Sequence, residues 1–302
     1  MEFNGIINMY KEKNYTSHDV VNILKGILKV KAGHTGTLDP GACGVLPIVL
    51  GKSTKLADYI MAEDKVYEAN IHFGVKTDTE DLTGNILSDK RPVQVDKADF
   101  INALDKFKGE ISQIPPMYSA VKIGGEKLYK LARKGIEIER KPRNITIYSI
   151  DILKYENESA RIKIKCSKGT YIRTLCADIG EALGCGAAMG ELLRTASGDF
   201  SIENSIKLDD IKAYAAEGKI ASYIAPPDEI LKDYPKVYAN AEAVKFIRNG
   251  NPINQKFIQY ENLEAGNKYR LYTDKEQLIG LYTLDNEGFL RPKVILMDLN
   301  EV

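Results

Sequence analysis

The chain has 302 residues, of which 44% are hydrophobic and 28% charged, with 42 Lys and Arg balanced by 42 Asp and Glu. Those are ordinary globular values, with length for one large and one small domain, and they argue against a disordered or fibrous chain. Zero net charge advertises no nucleic-acid partner, and no apolar run approaches the roughly 18 residues of a membrane-spanning helix.

In chain order, residues 5–10 read as a short strand. Ser17 is placed to cap a helix running to about residue 30, with Val20, Val21, Leu24, Ile27 and Leu28 on one face. The stretch Gly33-His34-Thr35-Gly36-Thr37-Leu38-Asp39-Pro40-Gly41 follows, then the apolar run 45–50. Glycine lets a backbone turn tightly, and Pro40 holds Asp39 extended, so the expectation is an irregular loop with Asp39 at its apex. Composition alone favours a plain Asp-Pro-Gly turn. Gly51-Lys52-Ser53 imitates the end of a phosphate-binding loop, but Leu46 stands where that pattern needs glycine, and we reject it.

Residues 53–62 read as helical and 65–74 as an alternating strand containing Tyr67; strands favour aromatics, so packing alone explains that residue. Residues 76–84 form a polar loop with a structural role. A helix over 96–108 turns Phe100, Leu104 and Phe107 inward and stops at Gly109. Strands follow at 145–154 and 160–166, the second alternating Arg161, Lys163 and Lys165 with Ile162, Ile164 and Cys166. Between residues 120 and 170 there are 13 Lys and Arg against 6 Asp and Glu, a local basic face such as phosphate contacts need, and also one that a solvated surface would show.

Tyr171 and Arg173, spaced two apart in what reads as an extended segment, would share a face ahead of a helix ending near Gly184. For Arg173 alone, a surface salt bridge is as good a reading as a site role. Composition shifts around 225–235, where we place a domain boundary. Beyond it, a short helix over 240–249 and four strand-like runs (256–260, 268–273, 277–284, 289–296) suggest a small barrel.

The run from Gly33 through Pro47, followed by Gly51-Lys52-Ser53-Thr54-Lys55, resembles the catalytic motif of the TruB family of tRNA pseudouridine synthases. Segments 114–122 and 129–133 resemble the part of that family that closes over the RNA loop, and 168–175 resembles its segment with an active-site Tyr and Arg. The family's entry motif appears with Glu12 and Asn14 in place of Pro and Gly, and its Leu-Arg-Arg-Thr appears as Leu192-Leu193-Arg194-Thr195. The resemblance implies an α+β fold: a catalytic domain over about 1–230 with a mixed, mainly antiparallel central sheet, and a PUA-like RNA-binding barrel over about 235–302. It implies Asp39 as catalytic carboxylate, Arg173 paired with it to keep it ionised and oriented, Tyr67 under the target base, and Tyr171 in proton handling or positioning. Leu192 would form an apolar wall, and His34 would order the loop or contact RNA. Segment 114–145 would close over the RNA loop, with Lys122, Lys130 and Arg133 as contact candidates, since cations beside Tyr129 suit backbone contact and stacking.

The implied reaction is isomerisation of the T-loop uridine 55 of tRNA to pseudouridine, by a monomer needing no protein partner. The alternative is a non-catalytic RNA-binding or tRNA-folding protein of the same fold, which should have lost Asp39, Tyr67 or Arg173. The guide-RNA-dependent branch of the superfamily is a second rival, and the compact chain resembles the stand-alone bacterial type instead. Cys43, Cys166, Cys176 and Cys185 form no C-x-x-C pair and His18, His34 and His72 are far apart, so we expect free thiols and neither metal nor cofactor. The first residues lack the basic and apolar parts of a secretory leader, so the expected location is the cytoplasm.

Overall fold

The computed structural model describes residues 3–260 and 262–298. Nine strands form one sheet. Its main path runs Gly5–Lys11, Cys43–Leu50, Ala187–Ser197, Lys65–Phe73, Ser159–Cys166, Arg143–Glu156, Gly109–Gln113, with Ala32–His34 and Phe200–Ser201 attached at the side. All neighbours are antiparallel except Cys43–Leu50 and Ala187–Ser197, which pair parallel through Leu193–Cys43 and Arg194–Gly44. The expected mixed, mainly antiparallel sheet is what forms.

Alternation decides how the sheet packs. Along Lys65–Phe73 every second residue is buried, so Tyr67, Ala69, Ile71 and Phe73 share one face. That face carries a core closed by helices Lys97–Asp105 and Ile172–Ala182. Phe107 packs at its margin and is only partly buried. A second core forms where strand Gly5–Lys11 meets helices Ser17–Leu28 and Leu208–Ala216.

The first helix corrects one expectation. Its N-cap is Thr16, whose hydroxyl accepts from the Asp19 amide at 3.1 Å while the Asp19 carboxylate accepts from the Thr16 amide at 2.8 Å. Ser17 is the first helical residue, and its buried hydroxyl is used elsewhere, as shown below.

A separate six-stranded sheet curls into a nearly closed barrel with its own core, in the order Ile253–Asn254, Phe289–Ile295, Leu278–Leu284, Lys268–Tyr272, Lys236–Ala239, Ile258–Gln259. The short helix expected over 240–249 forms as a tight turn, Ala241–Ala243, and one helical turn, Val244–Arg248. The segment before the barrel is firmly packed. Leu231 is fully buried with Leu56, Leu281 and Leu296. Arg270 donates to the Tyr234 carbonyl at 2.7 Å and the Lys232 carbonyl at 3.1 Å and pairs with Asp228 at 3.1 Å, while Tyr272 donates to Asp228 as well. The Lys268 ammonium lies over the rings of Tyr59 and Tyr234, 5.3 and 5.7 Å from their centroids.

Candidate active site

The loop around Asp39 is held from several directions. Asp39 does open a turn, closed by the Ala42 amide on the Asp39 carbonyl at 3.0 Å, with Pro40 in the position that β-turns favour. Just before it, Leu38 is buried, and Ser17 clasps its backbone: the Ser17 hydroxyl accepts from the Leu38 amide at 2.8 Å and donates to the Leu38 carbonyl at 3.1 Å. Behind it, the fully buried Lys11 ammonium donates to the carbonyls of Tyr15, Glu12 and Pro40 at 2.7, 3.1 and 3.3 Å. Burial lowers the Lys11 pKa, and three carbonyls are what a buried cation needs in place of water.

Arg173 meets this loop from the far side. Its Nε lies 3.0 Å from Asp39 Oδ2. Its other nitrogens are anchored by the Thr79 carbonyl at 3.0 Å and the Tyr118 carbonyl at 2.9 Å, with the Asp81 carboxylate 3.8 Å away. The guanidinium side chain is 6% exposed and the Asp39 side chain 44%. A buried, fully bonded cation thus orients a carboxylate that a substrate can still reach.

The route to this geometry differs from the expectation. Tyr171 is the last extended residue and Arg173 already lies in helix Ile172–Ala182, so the strand pleat does not align the two side chains. Tyr171 is half-buried at the helix start. The polar loop 76–84 does more than brace the fold, since its Thr79 and Asp81 hold Arg173; Asp81 is in turn fixed by the hydroxyls of Thr79 at 2.8 Å and Thr83 at 2.5 Å.

The residues just before each member of the pair, Leu38 and Ile172, belong to an apolar cluster. Leu38, Ala42, Tyr67, Ile172, Leu175 and Leu192 belong to one buried cluster. Cross-strand register sets Tyr67 against Arg194 and Ala69 against Leu192, which puts Tyr67 and Leu192 on one face. Burial raises the Tyr67 pKa, and the Arg194 guanidinium facing the phenol works the other way.

Arg194 escaped the sequence reading as a site residue. It is buried, donating to the Val45 carbonyl at 2.7 Å and the Gly36 carbonyl at 3.2 Å, and so joins both ends of the Asp39 loop. Gly44 is required beside it: its φ is +109°, and a Cβ there would fall 2.1 Å from the Arg194 carbonyl oxygen. His34 is partly buried, and its Nδ1 accepts from the Gly36 amide at 3.4 Å. Burial, with His18, Arg194 and Lys127 nearby, pushes the imidazole pKa down and keeps the ring neutral at neutral pH.

A family model described as TruB family pseudouridylate synthase (N-terminal domain) matches residues 25–172, and one described as tRNA pseudouridylate synthase B C-terminal domain matches 173–232. The chain belongs to the TruB family. Among TruB relatives, the tRNA pseudouridine synthase B of Clostridium tetani is 47% identical over 97% of this chain and 100% of its own length. That of Clostridium perfringens (strain ATCC 13124) is 43% identical over 97% and 99%. Of solved structures, a Cbf5–Nop10–Gar1 complex matches with TM-score 0.74 and 29% identity, covering 98% of this chain and 86% of that one. An H/ACA RNP bound to a substrate RNA containing 2′-deoxyuridine matches with TM-score 0.72 and 27% identity, over 97% and 85%.

In this TruB-family chain the other candidates lie on one short segment, residues 122–133. Lys122 sits on the small hairpin of Lys122–Ile123 and Glu126–Lys127, and Lys130 and Arg133 on helix Leu128–Arg133, all three exposed. Lys127 and Arg133 approach the Tyr129 ring, 5.7 and 5.6 Å from its centroid. The four cysteines are free thiols. Among the described residues no three His, Cys, Asp or Glu side chains are grouped as metal ligands, and no helix is long and apolar enough to cross a membrane.

Proposed function

We propose that this tRNA pseudouridine synthase acts on uridine 55 of the T loop, with Asp39 as its catalytic carboxylate. The observation that carries the reading is the Asp39–Arg173 pair, a reachable carboxylate 3.0 Å from a buried guanidinium. Isomerisation breaks the N1–C1′ bond, turns the base, and joins C5 to C1′; a proton leaves C5 and one is gained at N1, so nothing is oxidised or reduced. Asp39 acts on the sugar, either attacking C1′ as a retaining glycosidase nucleophile does or removing a sugar proton to give a glycal.

The base must leave its stack to reach this carboxylate. Tyr67 then lies under it, Leu192 walls it, Arg173 orients Asp39, and Tyr171 positions the base or handles a proton. His34 orders the loop. Lys122, Lys130 and Arg133 hold phosphates as segment 114–145 closes over the RNA. The catalytic unit spans about 1–230, and the PUA-like barrel, about 235–302, adds backbone contacts away from the chemistry. The enzyme acts alone, as a monomer, in the cytoplasm. Incubating the purified protein alone with an unmodified T-arm stem-loop and mapping pseudouridine tests the whole reading; a bound but unmodified stem-loop would favour a binding protein instead.

A further inference from the structure

Helix Ile172–Ala182 starts at Tyr171 without a side chain capping its free amides. What fixes that start comes from a distant strand. Gln113, 2% exposed, ends strand Gly109–Gln113. Its Oε1 accepts from the Tyr171 amide at 2.8 Å, and its Nε2 donates to the Tyr171 carbonyl at 3.0 Å. One side-chain amide thus bonds both polar groups of a single residue, as a neighbouring strand would.

Two residues on, Arg173 reaches Asp39. Five residues beyond Gln113, the Tyr118 carbonyl accepts from the same guanidinium at 2.9 Å. The segment 113–118 therefore grips Arg173 twice, directly and through the backbone of Tyr171. A charged pair at a reacting centre tolerates little misplacement, so the bonds that set this helix start bear on the geometry of Arg173.

We propose that Gln113 is a positioning residue for the reaction: its amide sets where the helix begins and so where Arg173 holds Asp39. The proposal rests on the reading of Asp39 and Arg173 as the working pair. Gln113→Met keeps the shape and removes both bonds. Gln113→Glu keeps the acceptor for the Tyr171 amide but turns an acceptor oxygen on the Tyr171 carbonyl in place of the donating Nε2.

Single-turnover rate, stem-loop Kd and Tm are measured for both variants, for Arg173→Ala, and for the Met variant combined with Arg173→Ala. The expected result is a rate about 100-fold lower for Gln113→Met with Kd within about 2-fold, and no recovery for Gln113→Glu, whose second oxygen faces the Tyr171 carbonyl. In the Arg173→Ala background the Met change adds nothing, because both act through one group. If the Met variant fails to fold, Gln113→Asn, one methylene too short to bond both groups, takes its place with the same expectation. A parental rate for the Met, Glu or Asn variant, or losses that multiply with Arg173→Ala, would overturn the proposal. An Arg173→Ala variant at the parental rate would instead overturn the reading on which it rests.

Discussion

Arg173 binds Asp39 with only its Nε, leaving the rest of the guanidinium to the carbonyls of Thr79 and Tyr118. The arginine is thus a buried support and the aspartate the accessible member of the pair. Lysine carries the same charge but cannot reproduce that fork. Arg173→Lys should lower the single-turnover rate by about 100-fold. Stem-loop Kd should stay within a few-fold, because the cation is buried away from phosphates. A large loss of affinity with normal rate would mean that Arg173 serves RNA binding.

Arg194 predicts a stability effect. It is buried and bonds to the carbonyls of Val45 and Gly36 on both sides of the Asp39 loop. Arg194→Ala removes both bonds and opens a cavity, at about 3 kcal/mol, so thermal melting should drop by several degrees. Gly44→Ala should do similar damage from the other side, since its methyl would strike the Arg194 carbonyl. A neutral outcome for both would mean that the parallel pairing of their strands is not what holds the loop.

The Asp178 carboxyl has its pKa raised to about 6 by burial and by the nearby charges of Glu80 and Glu181. The folded value lies above the unfolded one, about 3.9, so ionisation opposes folding. The penalty is absent below pH 4, grows between about 4 and 6, and is complete above 6. Asp178→Asn should therefore raise Tm at pH 8 and leave it nearly unchanged at pH 4. Equal shifts at both pH values would assign the effect to something other than this charge.

The join before the barrel predicts how far the two halves separate. All residues placed around Asp39 precede residue 200, so a fragment ending at residue 235 should still modify a short stem-loop. It should melt several degrees lower than the full chain, because Leu56 and Leu231 lose Leu281 and Leu296. An inactive or insoluble fragment would make the barrel part of the catalytic fold.

The Asp39 loop was legible because its residues are contiguous, and the strand holding Tyr67 because alternate burial leaves a period of two. Arg194 was visible as a motif letter, but its partners Val45 and Gly36 are about 150 residues away, and nothing local announces such a contact. Thr79 acts through its main-chain carbonyl, which any residue would supply, so its grip on Arg173 leaves no mark in composition. Thr16 and Ser17 are both able caps; Asp19, three residues after Thr16, was the available signal. The same face was expected for Tyr171 and Arg173 from strand spacing, and it failed because the helix begins between them. Helix Leu208–Ala216 went unread, although its burial of Leu208 and Ile211 closes the second core.

The central claim is that the Asp39 carboxylate acts on the sugar. Asp39→Asn keeps the size and turn-forming character of the side chain and removes its charge. Single-turnover rate and stem-loop Kd measured on this one variant form the decisive pair. The account predicts a rate lower by several orders of magnitude with Kd nearly unchanged, since phosphate contacts lie elsewhere. A rate close to that of the parent, or an affinity that collapses along with it, would contradict the claim and reduce Asp39 to a residue of the turn.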